Sequence, residues 1–196
     1  AINLAENNKF FLWHTWFSDV FNRDDREGFD IVIGNPPYIG EKGHKEIFQP
    51  VKSDIHLGQY YLGKMDYFYF FFHLAFSMLS PHGIATFITT NYYPTALGAR
   101  RLRADIKDRM SIKTLFNLGE LRLFENAPGQ HNMISSFAKG KDGCKCQVID
   151  VHKKGALNPI MFTSIINHID EDTTYVDVAQ EDLYDGEENY IRLQNS

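Results

Sequence analysis

Cysteine is almost absent: Cys144 and Cys146 are the only two in 196 residues. A pair this close builds no disulfide framework, and without further cysteines or a spaced histidine pair it is a weak metal signal, so no metal ligand is assigned. A reducing, cytoplasmic compartment is the expectation. Long apolar runs are lacking as well. The longest, Met65 to Leu79, is interrupted by Asp66 and His73, is too short to span a bilayer, and predicts no membrane partner. No signal peptide, internal repeat or low-complexity tract is visible. Glycine is missing from Ala1 to Asn22, an aromatic stretch with Trp13 and Trp16 that reads as a helix or irregular segment packed on a sheet.

Positive charge is scarce only on average. The net charge is −5, yet from Ile39 to Gly155 there are 16 Lys and Arg against 10 Asp and Glu. Nine acidic residues between Asp170 and Glu188 face the single Arg192 after Ala156. The middle of the chain can therefore meet phosphate while the acid sits in the tail. With 43% hydrophobic residues, the chain has enough apolar material for one core.

The most informative stretch is Phe29-Asp30-Ile31-Val32-Ile33-Gly34-Asn35-Pro36-Pro37-Tyr38. Its apolar, β-branched first part reads as a short buried strand of a parallel sheet. Two prolines then fix the backbone and remove two N–H donors. Ligands of open α/β sheets bind outside the carboxyl ends of the strands, where this turn would lie. The Asn35 carboxamide oxygen and the Pro36 carbonyl are acceptors that together take both hydrogens of one exocyclic amine. Pulling those hydrogens out of plane localises the nitrogen lone pair, so the amine attacks an electrophilic methyl group without a strong base. Tyr38 offers a ring face for the heterocycle.

Downstream, Ile39 to Lys64 is a polar connection with a short helix expected near His44 to Val51. It is either a solvated loop or a lid that brings Lys42, Lys45 and Lys52 near phosphates. Asp66 is the expected N-cap of an apolar helix from Tyr67, stopped by Pro81 and Gly83. His73 reads as a packed helix residue. Ile84 to Thr90 is a strand whose end makes Thr89, Thr90, Asn91 and Tyr92 candidate pocket walls. Pro94 suits the first turn of the next helix, with Leu102, Ile106 and Met110 inward and Arg100, Arg101, Arg103, Lys107 and Arg109 largely outward. Ile112 to Leu118 and Asn132 to Ala138 read as strands that a short loop obliges to run antiparallel. Gln147 to His152 is a further strand.

With these residues, the chain resembles the adenine-N6 DNA methyltransferases whose signature is Asn-Pro-Pro-Tyr, in particular those fused into single-chain type IIG/IIS restriction-modification enzymes. Phe11-Leu12-Trp13, Phe17-Ser18-Asp19-Val20-Phe21 and Gly28-Phe29-Asp30 match that group's lead-in, and the order of elements fits through about Lys139. The resemblance implies an α/β fold: a partial doubly wound (Rossmann-like) S-adenosylmethionine-dependent methyltransferase sheet with a reversed hairpin at its edge. It implies methyl transfer from S-adenosylmethionine to the N6 amine of a flipped adenine in double-stranded DNA. Asn35, Pro36 and Tyr38 would be catalytic, and Pro37, Phe124, Asn91 and Tyr92 would hold the base, with Phe124 covering its second face. Phe71 would border the cofactor's adenine, with Asn35 beside the cofactor.

In that family a glycine-rich turn and an acidic residue that bind the cofactor precede the motif, and the 34 residues before Asn35 contain no such turn. Residues 1–155 are therefore expected to be the catalytic half of a methyltransferase domain. Residues 156–196 are expected to be an acidic tail leading towards a target-recognition domain. The expected partners are DNA and the remainder of the parent chain, without which the piece is expected to be inactive. Glutamine-amide and guanine-amine methyltransferases share the tetrapeptide and stay open as alternatives, as does a non-enzymatic DNA-binding or regulatory module.

Overall fold

The computed structural model describes residues 12–125 and 129–193. Six strands form the central sheet: β1 (Phe29–Gly34), β2 (Leu79–Thr90), β3 (Met110–Asn117), β4 (Asn132–Lys139), β5 (Cys146–Val151) and β6 (Thr173–Val178). Their spatial order is β1-β2-β4-β3-β5-β6. The pairs β1–β2 and β3–β5 are parallel. β4 runs antiparallel between β2 and β3, and β6 runs antiparallel to β5. Four strands thus point one way, and their carboxyl ends share one rim.

The reversed β3–β4 pair is present, but its reversed strand is enclosed and the sheet continues past it. The continuation includes residues from the acidic stretch. Val176 and Val178 of β6 pack into the main core, while Asp177 and Thr174 stay exposed. Tyr175, on the opposite face, packs against a second apolar cluster, so β6 is partly covered on both sides. Residues 173–178 are thus a strand of the central sheet, and their valines contribute to the same core.

Helices α1 (Lys45–Lys52), α2 (Phe68–Met78) and α3 (Arg100–Arg109) pack on one face. Helix α4 (Pro159–Ile166) contributes Ile165 to a smaller cluster on the other, with Phe116 and Ile149. Helix α2 is apolar at almost every turn, which suits burial on several sides. Phe72 stacks on Phe87 of β2 at 4.6 Å and meets Phe137 of β4 edge-on at 5.5 Å. The expected cap by Asp66 is not made: the helix starts without a side-chain cap. Asp66 instead accepts the Tyr69 hydroxyl at 3.2 Å and bridges to Gly40. The helix does end at Met78, but β2 begins directly. Pro81, His82 and Gly83 are absorbed as an irregularity of that strand, with His82 at φ +64°.

Two further expectations are corrected around α3. Residues 91–95 form turns and a 3-10 turn covers Leu97–Ala99, so Pro94 precedes the helix without belonging to it. Arg103 is not outward but fully buried. It donates to the carbonyls of Tyr93, Ala96 and Glu188, and its guanidinium lies 4.7 Å from the Tyr190 ring. The other cations of the helix are also engaged: Arg100 with Glu188, Arg101 with backbone carbonyls of residues 59 and 61, Lys107 with Asn189, and Arg109 with Asp105.

Strand β1 differs from a strand buried on both faces. Val32 packs on the helices, whereas Ile31 and Ile33 are 68% and 76% exposed. Among the described residues, β1 is one of the two edge strands and leaves Ile31 and Ile33 of its second face uncovered.

Candidate active site

The site grows from the way β1 enters and leaves the sheet. Gly28 has φ +110°, and a Cβ there would lie 2.6 Å from the Ser80 nitrogen. Only glycine permits that approach, which sets β1 alongside β2. The strand ends at Gly34, and Asn35-Pro36-Pro37-Tyr38 crosses the carboxyl rim.

The tetrapeptide has two sides. On one, Asn35, Pro36 and Pro37 line a hollow of about 330 Å³ with Phe71, Phe87 and Trp13. It is chiefly apolar and of the size that takes a small heterocyclic ligand. The structure thus brings together Asn35 and Phe71, the two residues assigned to the cofactor. On the other, the Tyr38 ring meets Phe68 edge-on at 6.1 Å. Its hydroxyl lies 2.9 Å from the Ile88 carbonyl and 2.5 Å from Asn35 Oδ1. One hydroxyl proton serves these two acceptors, which ties Asn35 to the end of β2. Burial pushes the Tyr38 phenol up to about 12, so it stays a protonated donor. Asn35 itself is exposed, and its carboxamide oxygen has two lone pairs. A donor from Tyr38 therefore leaves one position for an amine hydrogen.

Asn91 goes elsewhere. Its amide donates to Asn117 Oδ1 at 2.9 Å, and Asn117 donates to Asp150 Oδ1 at 2.8 Å. This ladder walls a separate hollow of about 740 Å³, which also includes Thr95 and Arg192. Tyr92 is half exposed and lines neither hollow. Thr89 and Thr90 are buried and also face neither. Phe124, partly buried in the loop after Leu123, lies outside both linings, and the neighbouring 126–128 fall outside the described residues. Trp13 is the residue that sequence reasoning missed. It was legible as part of an aromatic lead-in, but no spacing ties it to Phe71. Among the described residues, no group of three or more His, Cys, Asp or Glu could hold a metal ion.

The site is thus an Asn-Pro-Pro-Tyr turn at the carboxyl strand end of an open, mixed α/β sheet in which four of six strands point one way. The chain belongs to the Eco57I restriction-modification methylase family, whose model matches residues 1–124. It is 25% identical over 134 residues to the type II methyltransferase M.HincII of Haemophilus influenzae, covering 68% of this chain and 26% of that protein. The chain thus spans about a quarter of that relative's length. Its fold is similar to that of the type IIG restriction endonuclease BpuSI, with a TM-score of 0.53, 15% identity, and coverage of 78% of this chain and 19% of that one. It is also similar to the ATP-dependent type ISP restriction-modification enzyme LlaBIII bound to DNA, with a TM-score of 0.52, 14% identity, and coverage of 87% and 13%.

Proposed function

We propose that these residues form the catalytic half of an enzyme that methylates the N6 amine of adenine in double-stranded DNA, within a restriction-modification system of the cytoplasm. The observation that carries this reading is the Asn35 turn itself. An exposed carboxamide stands at a strand end, fixed by Tyr38 and flanked by an apolar hollow that Phe71 completes. The family match and the DNA-bound relative of the same fold support it.

In this reading S-adenosylmethionine, when bound, supplies an electrophilic methyl group. The hollow beside Asn35, Pro36 and Phe71 fits the flat apolar part of such a cofactor in size and lining. The rest of the cofactor site would come from another part of the full-length protein, as would a target-recognition domain. Asn35 Oδ1 and the Pro36 carbonyl would accept the two hydrogens of the adenine amine and localise its lone pair. The new N–C bond would form as the methyl–sulfur bond breaks and the sulfonium leaves as a neutral thioether. Both oxygens would stabilise the positive charge developing on N6 until one proton leaves to water. Tyr38 and Pro37 would stack one face of the flipped base. Phe124 would cover the other after movement of its loop, with Asn91 and Tyr92 on the outer wall.

The test is Asn35→Ala in the full-length protein, scored by methyl incorporation into duplex DNA. Loss of one such acceptor is expected to slow transfer by about 10²–10³, and undiminished transfer overturns the assignment. Mass spectrometry of the product should show N6-methyladenine. Methylated guanine or a methylated glutamine amide would instead place the protein among the other users of the tetrapeptide, and an unmodified product with intact binding would make it a DNA-binding module.

A further inference from the structure

Just past the Asn35 turn, the chain opens another hollow, of about 780 Å³, between α1 and the segment 61–66. Phe48 and Met65 form its apolar floor, at 1% and 2% exposure. Lys42, Lys45, Lys52 and Lys64 stand around it. Among the described residues, the side chains of these four make no ion pair and donate no hydrogen bond, unlike those of most of the chain's cations, such as Arg101 and Lys113. Lys52 only lies over the Tyr61 ring, 5.0 Å from its centre.

The rim is built rather than merely solvated. Lys64 sits at φ +53°, beside Gly63 at +93°. A left-handed backbone is costly for a residue with a side chain and persists where the surroundings impose it. Here they do: a Cβ on Gly98 would come within 2.0 Å of the Lys64 carbonyl oxygen, so the 97–99 turn presses on this segment. Two carboxylates also line the hollow, and both are committed. Glu41 accepts the Tyr61 hydroxyl and the N–H groups of Lys64 and Met65, which hold it below the usual carboxylate range. Asp66 accepts the Tyr69 hydroxyl, and burial raises its pKa. Among the described residues neither is within ion-pair distance of a lysine, although the Lys45 charge also helps to lower the Glu41 pKa. Four ammonium groups around two carboxylates leave the opening positive.

The hollow is also tied to the turn. The N–H of Tyr67 donates to the Ile39 carbonyl and that of Glu41 to the Met65 carbonyl, each at 2.8 Å. The segment leaving Tyr38 therefore runs directly into the lysine rim. We propose that this hollow binds the phosphodiester backbone of the nucleic acid strand whose base reaches Asn35. This rests on the methyltransferase reading and adds to it the place where the substrate's charge is met. Lysines serve as point charges for phosphates, and each neutralised phosphate releases counterions.

The experiment measures duplex binding by the full-length protein across a salt series. The triple variant Lys45→Gln, Lys52→Gln, Lys64→Gln is expected to flatten the slope of log affinity against log salt by about 2–3. Lys145→Gln, an exposed lysine just before β5 at the opposite end of the sheet, should leave the slope unchanged. Replacing the phosphates flanking the target adenine with neutral methylphosphonates, one at a time, should weaken the unsubstituted protein. At least one such replacement should cost the triple variant nothing further. An unchanged slope in the triple variant, or an equal fall with Lys145→Gln, overturns the hollow while normal DNA methylation leaves the catalytic reading standing. Absence of methyl transfer to DNA by the unsubstituted protein overturns that reading, and this proposal with it.

Discussion

Tyr38 combines a ring and a hydroxyl that substitution can separate. The ring is the proposed stacking surface, and the hydroxyl ties Asn35 to the Ile88 carbonyl. Tyr38→Ala should weaken binding of the flipped base by about 1–3 kcal/mol, the usual range for loss of an aromatic platform, read as a higher KM for DNA. Tyr38→Phe keeps the platform and removes a hydrogen bond worth about 1 kcal/mol, so KM should hold while kcat falls about fivefold. Equal effects of the two variants would show that the ring does not stack. At this scale the sequence was informative where chemistry is local. Two prolines after a strand locate Asn35, but Asn91 could not be placed from its position after β2. Its amide is drawn across to Asn117, a partner 26 residues away, and no local pattern announces that bond.

The pair α2–α3 is joined by a buried polar cluster. His73 Nδ1 lies 2.6 Å from Asp105, and Arg109 donates twice to the same carboxylate at 2.5 and 2.6 Å. The Tyr60 ring stacks on His73 at 3.6 Å. Among the described residues, buried His73 Nε2 has no hydrogen-bond partner, so protonation there would bury a donor without an acceptor. Burial accordingly lowers the His73 pKa from its ordinary 6.5. Because the unfolded chain takes the proton more readily, the stability contributed is full above the unfolded-state value. It is lost as pH falls from there towards the folded-state value. The thermal midpoint should drop between about pH 7.5 and 5.5, and His73→Gln should flatten that drop. An unaltered pH dependence would clear His73 of the effect. Asp105→Ala should cost about 3 kcal/mol by leaving Arg109 uncompensated, measured by denaturant unfolding. Helix α3 was legible from its apolar periodicity and α2 from its almost unbroken apolar run. The fate of Arg103 was not, because the carbonyls that receive it belong to the irregular turn before its helix and to a segment 85 residues further on.

Across the whole molecule, the unevenly covered sheet is the feature with the widest consequence. Val32, Ala85 and Phe87 face the helices, while Ile31, Ile33 and Ile84 on the reverse are 68%, 76% and 39% exposed. They belong to neighbouring strands in register, Ile31 opposite Ile84, and so form one patch beside an unpaired strand edge. The apolar, β-branched run of β1 had suggested burial on both sides, and the inward half of that expectation holds. The outward half needs another layer, which in the proposed full-length enzyme is the cofactor half. An apolar face next to a free edge is a template for association. Residues 1–196 produced alone should therefore self-associate at about 10–100 μM, a range in which exposed apolar surface and free edges drive association, and sedimentation should follow that with concentration. Ile31→Lys with Ile33→Lys should restore a monomer without altering the far-ultraviolet circular dichroism. In the full-length enzyme, the same two lysines should abolish methyl transfer by prising apart the halves. A piece that stays monomeric throughout that range, or a full-length double variant of normal activity, would mean that this face of β1 is solvent-facing in the complete protein.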